Sequence, residues 1–558
     1  MELIKKILNK YEENKFLIFE IVAILVIILF GVSLTPKAFQ NDTYYTITIG
    51  KDILKNGIDM VDHYSWHENL PYTYPHWLYD ACTYLVYNRW DFTGVYVLTC
   101  ILSAILGVVI YKVNKNLNKN QIISFLITMA SMYLLKSYIA ARAQLVTFIL
   151  FVLIIYLIEK FLDTKKIRYA IGIILISLLI ANLHVAVWPF VFVLFLPYIA
   201  EYIICVICDC IIYGTFQKAY LKHKKKKLKD EEKQKEYQLK LEELNIKNEK
   251  IRKIREEEEK YKIKMNRNDN VKWLFVIIII CALTGLLTPL GDVPYTYLYK
   301  TMQGNTTENI NEHLPLTLIN DVGIMCAITV FLAVMIFTKS KIRLSDLFMI
   351  GGLTYLMFLS KRQSTMFVLI GGIILNRLIV QLFELYDICK IKEIGKKYIN
   401  LFTTMVLAII FTIISLNFID NKKNNSYVNK GTYPVEASEW ILENLDVQNI
   451  KLYNEYNYGS YLLFKGIPVF IDSRADLYAP EFNTKTGDSA DGKDIFSDFL
   501  DCSNIGKYYG DVFEDYGITH VLVYKNSKIN MLIEKADSEK YKLIYSDDNF
   551  VLYEILNY

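Results

Sequence analysis

Outside one segment, this 558-residue sequence is short of charge. Residues 217–270 hold 19 Lys/Arg and 12 Asp/Glu. The other 504 residues share 89 charges, about 18%, against the quarter usual for a soluble domain. Long apolar runs take their place, which excludes a soluble multi-domain enzyme and a disordered chain. Cysteine is sparse as well, with 9 in all, and that excludes a secreted disulfide scaffold. Only Cys82 and Cys502 fall outside or beyond the apolar runs on the expected outer side, and the inner run Cys205, Cys208 and Cys210 has no fourth metal ligand beside it. No small-x-small cleavage site follows the first apolar run, so it reads as an uncleaved span rather than a signal peptide. The net charge of +4 is the small sum of opposed blocks and carries no nucleic-acid signature.

What is there is a series of runs near 16–34, 92–111, 121–136, 144–159, 168–184, 186–213, 272–290, 320–338, 345–360, 364–383 and 399–418. A span needs roughly 20 apolar residues to cross about 30 Å of hydrocarbon, so these imply a polytopic α-helical membrane protein with about eleven transmembrane helices. Lys and Arg collect in 1–15, 112–120, 160–167, 214–271, 339–344 and 384–398, and are few in 36–91 and 291–319. The positive-inside rule then places the N-terminus inside and the C-terminus outside. Four regions follow. Residues 1–216 form an N-terminal transmembrane module with a large outer loop, 36–91. Residues 217–271 form a charged cytoplasmic helical insertion, free of Gly and Pro, that permits a short coiled coil. Residues 272–418 form a second transmembrane module with outer loop 291–319. Residues 419–558, with 23 acidic and 14 basic side chains, form an extracytoplasmic α/β domain. Its helix-like stretches are 437–444, 458–465 and 527–536. Its strand-like stretches are 450–453, 468–472, 520–524, 541–545 and 550–555, expected as a largely parallel sheet with an antiparallel edge. The richness in Ile, Lys, Asn and Tyr suits an AT-rich bacterial genome, hence a bacterial plasma membrane.

Polar chemistry is concentrated on the outer side. Asp42 stands at the lip of the first span, and Asp42, Tyr45, Ile49 and Ile53 share helical spacing. A carboxylate there is either a helix cap or a general base facing the bilayer surface. Asp62, His63 and His76 follow, and Trp66, Trp77 and Trp90 suit an aromatic belt. Lys136 and Arg142 flank one outer turn, Lys361 and Arg362 lie on another, and His184 on a third. Basic residues on that side suit an anionic ligand such as a lipid phosphate, or snorkelling to headgroups. Segment 288–320, with Glu308, Glu312 and His313, is expected to fold over the first loop. Asp472 and Arg474 end a strand-like stretch, where α/β sheets commonly bind ligands; a salt bridge ordering that turn is the alternative.

These motifs carry a resemblance. The opening 41–45 (NDTYY) and the following IGKDILKNG are similar to the acidic-aromatic start of the first outer loop in GT-C superfamily glycosyltransferases, which include protein O-mannosyltransferases and lipid A aminoarabinose transferases. The chain resembles most a bacterial subgroup of that superfamily. The matching elements are 62–66 (DHYSW), 76–78 (HWL), 142–144 (RAQ, with Ala143 where the pattern has Pro), 182–184 (NLH), 459–462 (GSYL) and 470–474 (FIDSR). Position 43 is Thr, so the Asp-Glu pair of the mannosyltransferases is absent. The resemblance implies transfer of a sugar from a polyprenyl-phosphate donor to an extracytoplasmic glycan or protein acceptor, with inversion. Asp42 would be the base. Lys136, Arg142 and Arg362 would hold the leaving phosphate. Asp62, His63 and His76 would shape the sugar pocket or bind a metal, and Trp77 and His184 would be further substrate-binding residues. Some relatives use a divalent metal and others do not, so the cofactor stays open. The alternatives are a non-catalytic envelope polysaccharide scaffold or sensor, or a lipid-linked sugar transporter.

Overall fold

Among the described residues, six helices are long and apolar enough to cross a membrane: Glu13–Leu34, Trp77–Asn118, Ala143–Thr164, Val185–Ile211, Lys361–Leu382 and Leu401–Asp420. The computed structural model describes residues 2–68, 70–227, 231–257, 262–303, 309–385, 399–483 and 494–556. Glu308 and most of the inner segment 384–398 lie outside them. Five further apolar helices, Gln121–Leu134, Ile167–Leu183, Lys272–Thr284, Val322–Phe337 and Leu344–Leu359, run 13 to 17 residues. At 1.5 Å per residue these reach roughly 20–25 Å, less than the hydrocarbon thickness. Each apolar run read in the sequence lies on one of these eleven helices.

Polar side chains set the helix ends. Asn120, Asp321 and Asn400 accept a backbone N–H three residues on, which satisfies an otherwise orphaned donor. Asp91 takes φ 54°, ψ −158° inside Trp77–Asn118 and kinks it where the outer segment meets the apolar run. At the far end of the bundle, Glu159 holds Arg343 at 2.5 Å, and Arg377 pairs with Asp346 at 2.5 Å.

Buried apolar side chains form two clusters. One fills the helix bundle, with Phe19, Phe125, Phe148 and Ile373. The other joins the first outer loop to the C-terminal region. At its centre Tyr44 meets Phe92, Tyr433, Tyr461 and Phe464, with ring centroids 4.9–6.1 Å apart. Such pairs contribute about 0.5–1.5 kcal/mol each beyond area burial.

The C-terminal sheet has the order Leu452–Tyr453, His520–Tyr524, Phe550–Ile555, Tyr541–Ser546. Only the first pair is parallel; the other two are antiparallel, so the expectation of a largely parallel sheet is corrected. Segment 468–472 is not a strand of this sheet. Its apolar side chains are buried, but Asn454 supplies its backbone partners, donating to Ile471 O and accepting from Phe470 N. One bridge, Ser65 to Val469, ties it to the first outer loop. Trp66 Nε1 donates to Leu452 O and His67 Nε2 to Phe470 O, so residues 65–67 are stitched to this domain.

The charged block contains Thr215–Lys227 and Glu231–Glu257. Lys218 reaches Asn245 and Lys225 reaches Gln238, which makes the two helices an antiparallel hairpin.

Candidate active site

The helix Asn41–Asn56 starts directly after the first span. Gln40 is its N-cap and makes no side-chain cap bond; Asp42 sits one position inside the first turn. The cap expected of Asp42 is therefore absent. Its carboxylate instead meets Arg142, with Nη2 at 2.5 Å from Oδ2. Arg142 is held in extended backbone (φ −136°, ψ 152°) at the start of Ala143–Thr164, which projects its side chain from the outer turn. Its other nitrogen, Nη1, lies 3.0 Å from Glu312 Oε1. One guanidinium thus joins two carboxylates from two outer segments. Burial favours the neutral form of Glu312, but Arg142 and Arg362 outweigh it and leave its carboxyl below the usual range.

This cluster forms one wall of a cavity of about 1030 Å³ that also contains His76, His184 and Arg362. The two imidazoles lie 4.6 Å apart between centroids, tilted by 60°. His184 breaks the helix Ile167–Leu183, and the next residue, Val185, donates to Pro75 O, which brings the two histidines together. Burial, then Arg362 and Arg142, push His76 down to about 3. Burial and the same neighbours, with His76, hold His184 well below its ordinary value. Both are neutral at pH 7. The backbone N–H of Arg362 donates to Glu312 O, which ties this turn to the segment that carries Glu312.

The C-terminal domain closes the opposite wall with Tyr456, Arg474 and Asp476. Arg474 is braced from behind: Nη1 lies 2.6 Å from Asp62 Oδ1 and Nη2 2.7 Å from Asp472 Oδ2. Ser65 Oγ donates to Asp62 and Tyr478 OH to Asp472. Burial would raise the Asp62 carboxyl, but Arg474 and Ser65 hold it below the usual range. Asp476 accepts from Tyr297 OH of the second outer loop. At the bundle side the wall is apolar, with Phe190, Val193, Leu356 and Leu359.

Five sequence candidates stand on this cavity's surface besides Asp42: His76, Arg142, His184, Arg362 and Arg474. Asp62 and Asp472 lie behind Arg474 and do not line it. Three others are elsewhere. His63 is exposed and pairs with Asp59 at 2.6 Å. Lys136 is exposed and lies over the Phe418 ring at 4.5 Å. Trp77 packs into the outer aromatic cluster. Sequence reasoning noted Glu312 and His313 as polar without assigning them to a site, and did not single out Tyr456, Tyr297 or Asp476. Among the described residues no group of three His, Cys, Asp or Glu side chains is placed to hold a metal ion. Cys82 and Cys502 are free.

A bundle of membrane-length apolar helices, two long loops and a C-terminal α/β domain closing over a charged cavity define a membrane protein with its candidate site at one end of the bundle. No family model matches the sequence, and no curated protein matches it. Solved structures that share its fold include two of one archaeal enzyme. The Archaeoglobus fulgidus oligosaccharyltransferase tethered to an acceptor peptide with the NVT sequon is 11% identical, with a TM-score of 0.52 over 98% of this chain and 74% of that one. The apo form of that enzyme is 10% identical, with a TM-score of 0.53 over 94% and 70%. The chain shares the fold of this archaeal enzyme along nearly its whole length.

Proposed function

We propose that this protein is an integral membrane glycosyltransferase that moves a sugar from a polyprenyl-phosphate-linked donor to an extracytoplasmic acceptor, at the outer face of a bacterial plasma membrane. The observation that carries this reading is a single cavity that joins a carboxylate at the membrane lip, Asp42, to an arginine on another outer turn, Arg362, with an apolar wall on the bundle side.

The chemistry needs three things of the chain. The acceptor must lose a proton, the anomeric carbon must be attacked, and the phosphate must leave. The acceptor heteroatom forms its bond to the anomeric carbon as its proton passes to an Asp42 oxygen. The anomeric C–O bond breaks with its electron pair on the phosphate oxygen, and Arg362 offsets the charge that develops there. Arg142 is a positioning residue: it holds Asp42 and Glu312 on either side of its guanidinium and fixes where the base points. The neutral His76 and His184 offer hydrogen bonds to sugar hydroxyls without adding charge. The apolar wall suits the lipid. A protein of shared fold, the archaeal oligosaccharyltransferase, has been captured with a tethered acceptor peptide, which supports an acceptor as this chain's second partner.

Asp42→Asn tests this. The variant is expected to fold and to lose activity by roughly 10²–10⁴-fold, the usual contribution of a general base. The readout is transfer of labelled sugar from total bacterial lipid-linked donors to envelope acceptors. Full transfer by the variant would remove Asp42 from the chemistry.

A further inference from the structure

The two helices of the charged hairpin divide their charge unevenly. Thr215–Lys227 holds six lysines and no acidic residue, whereas Glu231–Glu257 holds eight residues of each sign. Where the helices meet, the contacts are not ionic. Lys218 donates to Asn245 and Lys225 to Gln238, and Leu221 and Leu241 are buried. Two carboxylates of the second helix are engaged along that helix instead: Glu236 lies 2.5 Å from Lys240, and Glu242 accepts from Gln238. Lys222, Lys224, Lys226 and Lys227 are exposed and make no ion pair among the described residues. The linking residues 228–230 add one Lys and one Asp, so the excess stands. Lysines spaced as 222 and 226, or as 224 and 227, repel one another in water. The C-terminal end of the helix dipole offsets this for the last turn only, and Lys222 lies outside it.

The route of the chain brings a counter-charge within reach. Thr215 stands four residues beyond Ile211, where the membrane-length helix Val185–Ile211 ends. Gly214 between them takes φ 56°, ψ 41°, the left-handed turn that ends one helix and sets off the next in a new direction. The exposed Tyr220, with Lys224 Nζ 5.7 Å from its ring centre, adds an aromatic side chain of the kind favoured at a membrane–water boundary. We infer that the lysine-bearing face of Thr215–Lys227 docks on anionic phospholipid headgroups of the leaflet where that span ends, with Glu231–Glu257 on its water side. This does not depend on the transferase reading. A lysine near an anionic surface contributes about a fivefold factor, and the attraction fades over a Debye length of about 8–10 Å. The helix is about 20 Å long, so only a hairpin lying along the surface brings the whole row into range. The membrane is favoured over a soluble polyanion because the helix starts beside it.

The test places full-length protein in nanodiscs of phosphatidylcholine, and in nanodiscs of an equal mixture of phosphatidylcholine and phosphatidylglycerol. The reactivity of each lysine toward an acetylating reagent is read by mass spectrometry at low conversion. Lys247 and Lys250, exposed on the second helix, are the reference. In the anionic discs Lys222, Lys224, Lys226 and Lys227 are expected to react about tenfold more slowly against that reference, and molar salt is expected to abolish the difference. Lys222→Gln combined with Lys226→Gln should remove most of the protection at Lys224 and Lys227, while leaving the hairpin contacts of Lys218 and Lys225 in place. An unchanged size-exclusion profile establishes folding. Equal reactivity in the two kinds of disc overturns the inference. So does protection that extends equally to Lys247 and Lys250, or that salt does not lift. If soluble polyglutamate protects the row and the anionic discs do not, the occupant is not the membrane and the inference falls.

Discussion

At the residue scale, the site works by withholding charge. Two histidines face the cavity and are kept neutral by burial and by two nearby arginines. That has a consequence for stability. A histidine whose pKa is lower folded than unfolded takes its proton more readily when unfolded. Its stability contribution is full above the unfolded value near 6.5, and declines as the pH falls from there toward the folded value. For His76 the decline runs down to about 3. The expected slope is about 1.4 kcal/mol per pH unit for each such histidine. Thermal unfolding in detergent, followed by tryptophan fluorescence from neutral pH into the acid range, should show a falling midpoint. His76→Gln should flatten it. A profile indifferent to His76 would mean that the imidazole titrates in the folded protein. Lys136 and Arg142 show how fine this scale is. They are six residues apart on one outer turn, yet one faces the Phe418 ring and the other the cavity.

At the element scale, much of the fold is legible in the sequence, because apolar periodicity and length decide it. Each apolar run became a helix, and the strands around His520–Tyr524 and Phe550–Ile555 stand where alternation placed them. The misread elements share a cause. Segment 468–472 has the apolar, β-branched composition of a strand, but whether it joins a sheet depends on a partner, and its partners are the side chain of Asn454 and the backbone of Tyr64 and Trp66. Gly459 belongs to the same arrangement. A Cβ there would lie 2.0 Å from Ile471 O and 2.9 Å from the Cα of Asp472. Gly459→Ala must therefore push the backbone that carries Asp472 and Arg474. It is expected to cost about 1–3 kcal/mol, as overpacking does. It should also weaken donor-lipid binding more than Ala substitution at an exposed helical glycine with open space, such as Gly351. Equal effects at the two positions would show that the 459 contact is relieved without moving Arg474. The site was partly legible for a related reason. A charged or polar residue at a break between two apolar helices, such as Arg142, His184 or Arg362, has only the outer surface to occupy. Glu312 was not assigned, because its pairing with Arg142 spans 170 positions and leaves no local signal.

At the scale of the whole molecule, the buried cluster of Asp62, Arg474 and Asp472 holds together segments 412 positions apart. Removing one partner of a buried ion pair strands the other and costs about 3–5 kcal/mol. Asp62→Asn is accordingly expected to lower the unfolding midpoint sharply. In the parent protein, the depressed Asp62 carboxyl means that this contribution is present above the unfolded value near 3.9 and is lost as pH falls through the folded one. Neutral-pH measurements will therefore see it in full. A midpoint insensitive to Asp62→Asn would show that Arg474 finds enough in Asp472 alone.

The same cluster orders events in time. A ribosome makes Asp62 early, and the last long apolar helix, Leu401–Asp420, is finished before Arg474 exists. Every apolar helix can be in the bilayer while Asp62 still waits, exposed, for its counter-charge. A chain stopped shortly after residue 420 would insert and remain in the membrane, yet its cavity would lack a wall. The cavity therefore gains this wall only after Arg474 has been made and has closed over the earlier loop.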